Sequence, residues 1–135
     1  MSRSSASPEI RNLAQRLLTY EATVSTGPAV LQVSEKLRRP LSTLAGASGF
    51  RSLLTRALTL AKAEVPGLSV VQVKPDGSLS GLTDLGNHDQ KAEVGVILIA
   101  QLLELLVIFI GRGVMLSVLL SAWPDFRVEN TLENK

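Results

Sequence analysis

Apolar positions recur at helical spacing through most of this chain, and the period changes once. Ile10, Leu13, Ala14, Leu17 and Leu18 predict an amphipathic helix over residues 8–22. Ser7 is placed to cap it, with Pro8 at the first helical position and Glu9 in the first turn. Small and β-branched residues break the pattern at 23–27, and Pro28 restarts it. Val30, Val33, Leu37, Leu41 and Leu44 then keep a helical phase through Pro40. Proline lacks a backbone donor and disfavours helical geometry at Arg39, so the helix is expected to kink or end there. The stretch Gly46-Ala-Ser-Gly49 is expected to be a turn. A further helix follows over 50–64, with Phe50, Leu53, Leu54, Ala57, Leu58 and Ala61 on one face. Arg51, Thr55, Arg56, Thr59 and Lys62 lie largely on the other, and Pro66-Gly67 is a stop signal.

At residues 69–74 the period shortens to two. Val71 and Val73 alternate with Gln72, Pro75-Asp76-Gly77 reads as a turn, and residues 78–80 return as a second short strand. Such a hairpin is marginal alone and must pack on the helices. After a polar loop over 83–90, the longest apolar run of the chain, Ala92 to Trp123, predicts one long helix ended by Pro124.

About thirty residues at ~1.5 Å rise would reach roughly 45 Å, enough to cross a bilayer core of about 30 Å. Gln101, Glu104 and Arg112 oppose that use. A charge at the helix centre costs about 2.5–3.5 kcal/mol on insertion scales, and each large aliphatic residue returns about 0.3–0.6. Insertion comes out close to neutral, so a buried core helix is favoured and a membrane-associated helix 94–122 is the alternative. On a helical wheel Gln101, Glu104, Ile108 and Arg112 fall in one narrow stripe, and Gly113, Ser117 and Ser121 in another. The small-residue stripe would let a neighbouring helix approach closely. Two copies packed antiparallel about Ile108 would set Glu104 of one against Arg112 of the other, twice. Gln101, Glu104, Ile108 and Arg112 are therefore candidate dimer contacts.

Composition narrows the function classes. The 135 residues suit one domain, and with 45% hydrophobic but only 4% aromatic residues the core must be aliphatic. A net charge of +2 does not demand a polyanionic partner. It is unevenly spread, with nine Lys/Arg against four Asp/Glu in residues 1–66. There is no cysteine, hence no disulfide framework and no thiolate chemistry, and the N-terminal MSRSSASPEI lacks the apolar stretch of a secretion signal. A cytoplasmic protein is the expectation.

Candidate chemistry is sparse. His88 is the only histidine and sits in a polar loop without companions at metal-ligand spacing. No serine lies in a nucleophile elbow. The chain is expected to be non-enzymatic, with no cofactor and no metal. Free N–H groups at the start of the helix after Gly46-Ala-Ser-Gly49 could receive an anion, flanked by Arg38, Arg39 and Arg51. That makes Arg38, Arg39, Gly46, Gly49 and Arg51 a possible anion site, although no P-loop lysine follows the second glycine. Leu44-Ala45, Gly49 and Leu54 faintly match a helix-turn-helix, with the apolar residue after the glycine one position early.

Longer stretches resemble a family. Glu35-Lys-Leu-Arg-Arg-Pro-Leu-Ser-Thr-Leu-Ala-Gly46, Ala61-Lys-Ala-Glu-Val-Pro66, Val71-Gln-Val-Lys-Pro-Asp-Gly-Ser-Leu79, the Leu-Leu-x-Leu-Leu-Val-x-Phe-Ile-Gly run ending at Gly111 and Trp123-Pro-Asp125 look like motifs of a family of small bacterial proteins without an assigned activity. The resemblance spans most of residues 10–125. It implies a self-standing small bacterial protein and no particular reaction. In that family Gly is common where this chain has Glu104, and an acidic residue where it has Arg112, so the resemblance does not carry the Glu104–Arg112 pairing.

The expected architecture is mainly α: a bundle of about four helices around a long C-terminal helix, with one small β-hairpin. It forms a single domain over 8–125, between polar tails at 1–7 and 126–135. The expected role is a non-enzymatic interaction or regulatory module acting as a homodimer. The alternatives are anionic-ligand or nucleic-acid binding through the basic region 38–62, and membrane association.

Overall fold

Ser7 caps the first helix as its position suggests. Its hydroxyl accepts the Ile10 N–H at 3.3 Å and its carbonyl accepts the Arg11 N–H at 2.9 Å. In the computed structural model, which describes residues 7–24, 29–65, 68, 70–81 and 88–126, helix α1 spans Pro8–Val24. Helix α2 spans Ala29–Glu64, and the hairpin pairs β1 (Gln72–Val73) with β2 (Leu79–Ser80). Helix α3 spans His88–Ile110 and α4 Arg112–Ala122. Of the polar tails expected at 1–7 and 126–135, residues 1–6 and 127–135 lie outside the described residues, as does most of the 83–90 loop, while Ser7 caps α1 and Phe126 is buried.

The mainly α bundle with one antiparallel hairpin is present, with two differences in where helices break. Pro40 neither ends nor divides α2, which continues helical on both sides of it. The break falls at Gly46, at φ 83° and ψ 160°, a region that is essentially glycine's alone. It occupies one residue, so the second arm of α2 starts at Ala47 and residues 47–49 are helical rather than a turn. The long C-terminal helix is likewise two helices. Gly111 stands between α3 and α4 at φ 90° and ψ 156°. At this elbow α4 folds back, burying Met115, Val118 and Leu119, with Trp123 and Phe126 buried beyond it.

Helix α3 is the organising element. Every residue from Ile97 to Leu103 is buried, as a helix apolar on all sides should be. It packs on α1 and α2, and α4 packs on α3 and α2. Near its start the approach is close: a Cβ built at Gly95 would lie 3.4 Å from Val30 and 3.6 Å from Leu18. The core is aliphatic, with Phe50, Trp123 and Phe126 as its fully covered aromatic residues. Among the described residues no helix is long and apolar enough to cross a membrane.

The hairpin registers Gln72 with Ser80 and Val73 with Leu79. Its strands are two residues each, shorter than the alternation predicts, because Leu68 and Val71 turn into the core before the pairing begins. Gly77 (φ 88°) closes the turn, and its N–H reaches the Lys74 carbonyl at 2.8 Å.

Candidate functional site

The Gln101-Glu104-Ile108-Arg112 stripe proves to run from the interior to open surface. Gln101 is buried, and its Nε2 donates to Glu64 Oε2 at 2.7 Å. Glu64 also lies 3.9 Å from Arg11. One turn on, Glu104 Oε1 accepts the Ser7 N–H at 3.2 Å, placing a carboxylate at the positive end of α1. Arg112, beyond the elbow, meets Glu9 of the same helix end at 3.6 Å, both side chains about half exposed. Glu104 and Arg112 thus each meet a partner on the N-terminal end of α1.

Ile108 stands between them and is 72% exposed; its neighbour Phe109, which sequence reasoning did not single out, is 69% exposed. Because the wheel does not carry through Gly111, α4 adds a further outward face. Gly113, Ser117 and Ser121 are exposed on it, beside the partly uncovered Val114 and Leu120. The end of α3 and the outer face of α4 therefore present apolar surface bordered by the Glu9–Arg112 ion pair. The small-residue stripe that would admit a neighbouring helix faces away from the core.

The residues expected around an anion are arranged differently. Arg38 donates to Glu35 Oε1 and to the Asp76 carbonyl, each at 2.6 Å, and Arg51 donates to the Pro75 carbonyl at 2.8 Å. These two arginines hold the hairpin turn by successive carbonyls. Ser78 donates its hydroxyl at 2.6 Å and its backbone N–H at 2.9 Å to Asp76 Oδ1. Those two bonds, with smaller help from Lys74 and Arg38, keep the Asp76 carboxyl below its ordinary pKa. Arg39 is exposed and makes no ion pair among the described residues. With Lys36, Arg38, Thr43 and Ser121 it lines an open groove of about 1090 Å³. Arg51 instead lines a smaller one of about 430 Å³ with Ser52, Thr55 and Arg56. Gly46 is exposed, and a Cβ at Gly49 would lie 2.9 Å from the Ala45 Cβ. Arg38 and Arg39 thus line one groove and Arg51 the other, and neither groove is lined by Gly46 or Gly49.

The helix-turn-helix match also changes. The bend is one residue rather than a three- to four-residue turn, and Leu44 is 55% exposed instead of packed inside it. His88 begins α3, and its side chain lies outside the described residues.

One cluster escaped the sequence reading. Glu21 of α1 is fully buried. Its Oε1 accepts the Trp123 indole N–H at 2.7 Å and the Lys36 ammonium at 3.0 Å. Lys36 also sits 6.0 Å from the Trp123 ring centre. A carboxylate taken out of water must be paired, and this one is paired by α2 and by the segment after α4 together. The available signal was phase: Glu21 follows Leu17 and Leu18 on the apolar face of α1.

No family model, no curated protein and no solved structure matches this chain.

Proposed function

We propose that the chain is a non-enzymatic interaction module that works as a homodimer, joined through the α3–α4 elbow. The observation that carries this reading is the exposure of Ile108 and Phe109, side by side on a helix whose other described large apolar residues are buried or half-buried. Their border suits a second copy. Glu9 and Arg112 carry opposite charges at one edge, so a two-fold axis beside Ile108 brings each to its counterpart's opposite. The original seam narrows accordingly, because Gln101 lies inside the chain and only Ile108, Arg112 and part of Glu104 face outward.

Burying a Phe side chain is worth about 1.5–3 kcal/mol, so covering the exposed share of Phe109 gives about 1–2 per copy and about 2–4 per dimer. Phe109→Ala should then weaken self-association by about 30- to 1000-fold. Sedimentation velocity over a concentration series tests it. A wild-type chain that stays monomeric at every concentration would remove the reading.

A second reading, an anionic ligand on the basic region, is favoured by Arg39 and Arg56, which are exposed and make no ion pair among the described residues. Retention on heparin that falls steeply with salt and is lost in Arg39→Ala/Arg56→Ala would support it. Retention unchanged by that double variant would count against it.

A further inference from the structure

We infer that the two copies join by exchanging α4: Gly111 straightens, α3 and α4 fuse into one rod, and each α4 docks on the other copy's core. This rests on the homodimer reading and names how the copies meet. The elbow is held by what α4 buries beyond it and not by a side chain at residue 111 itself. Gly111 sits at φ 90° and ψ 156°, and a Cβ there would meet nothing within 4 Å. No side chain is packed against the Gly111 Cα, so the hinge residue itself has room to change its dihedrals.

The bend also leaves hydrogen bonds unmade. Gly111 N–H reaches the Val107 carbonyl at 2.9 Å and Met115 N–H reaches Gly111 at 3.0 Å. Between them, α4 begins without a side-chain cap. Returning Gly111 to helical dihedrals would let the N–H groups of residues 112, 113 and 114 bond the carbonyls of 108, 109 and 110. The apolar sequence on either side is compatible with one helix.

Straightening carries Met115, Val118, Leu119 and Trp123 away from their own core, and all four are buried in the bent chain. The surface they vacate fits one occupant by construction, the same segment of a second copy. The exposed pair Ile108–Phe109 then lies mid-rod, where two rods cross. In a continuous helix Glu104 and Arg112 are eight residues and about 12 Å apart on one stripe, so an antiparallel partner sets each against the other's opposite.

The test uses the absence of cysteine. Arg39 and Ser121 are exposed and line the same groove, one on α2 and one on α4. Arg39→Cys/Ser121→Cys is treated with a short bifunctional maleimide, and each single variant serves as the control for links between surfaces. Exchange yields a covalent dimer on a denaturing gel with the double variant and not with either single one. A sedimenting dimer whose cross-link lies within one chain, identified by mass, overturns the exchange and leaves the homodimer standing. A monomer throughout overturns both. Gly111→Ala supplies a second measurement. A Cβ strains the bent form, at a cost equivalent to about 5- to 100-fold per chain. Because both chains straighten, the variant should shift the equilibrium toward dimer by the square of that factor, about 25- to 10,000-fold, and an unshifted equilibrium counts against exchange.

Discussion

Removing the Lys36 ammonium while keeping its stem isolates the charge balance of the Glu21 cluster. Lys36→Met keeps the Trp123 indole donor on a fully buried carboxylate and removes the Lys36 ammonium from it. Breaking a buried ion pair by deleting one member costs about 3–5 kcal/mol. Here the lysine side chain is 40% exposed and the indole bond remains, so the expected loss is about 2–3 kcal/mol. For a domain of this size that is a large part of a total near 5–15 kcal/mol. In urea, with a slope of about 1–3 kcal/mol per molar, it lowers the midpoint by roughly 1–2 M. Trp123, the only tryptophan, reports the transition by its fluorescence. Replacing both partners, as Glu21→Gln/Lys36→Met, should recover most of the loss, since the amide oxygen can still accept the indole N–H and no charge is stranded. A midpoint unchanged in Lys36→Met, or a double variant weaker than the single one, would refute the account of Glu21 as a charge held by Lys36.

Three further outcomes follow from single sites. Ser34 carries a buried hydroxyl with no hydrogen-bond partner, so Ser34→Ala should leave stability unchanged or raise it by about 1 kcal/mol in the same urea titration. Gly81 has φ 89°, and a Cβ there would lie 2.1 Å from the Val70 carbonyl oxygen; Gly81→Ala should cost about 3 kcal/mol or more, seen as a lowered thermal midpoint. The Asp76 carboxyl titrates below its ordinary 3.8, so its contribution is present above that value and is lost as acid carries the pH through the lower folded value. Amide exchange at Ser78 should accelerate over that acid window, and Asp76→Asn should flatten the dependence.

Much of the fold was legible because apolar phase survives packing. The faces of α1 and of the second arm of α2 are buried at the residues their spacing picks out, from Ile10 to Leu18 and from Phe50 to Ala61. The breaks were less legible. Gly111 interrupts a run whose period is the same on both sides, and what divides the helices is a dihedral angle that composition does not express. Pro40 gave the stronger signal yet stays within a helix, because losing one donor is tolerated where Leu37 and Leu41 remain packed. The site was read least well. Arg38 and Arg51 read as anion ligands until the turn carbonyls of Pro75 and Asp76 come between them, a contact that spans 24 and 38 residues. Phe109 was invisible as a surface residue, since only the elbow takes it out of the core-facing phase.

The indole–carboxylate bond joins residues 102 positions apart, and this dictates an order of events during synthesis. Glu21 and Lys36 are made early and can meet once α1 and α2 pack, but the indole donor to the same carboxylate oxygen is made after all four helices. Until Trp123 has emerged, α1 and α2 can pair with the Glu21–Lys36 ion pair between them but without the indole donor that completes it. The indole bond to this buried carboxylate therefore closes only when the chain beyond α4 is made, and a nascent chain stopped short of residue 123 holds the Glu21–Lys36 pair without its indole.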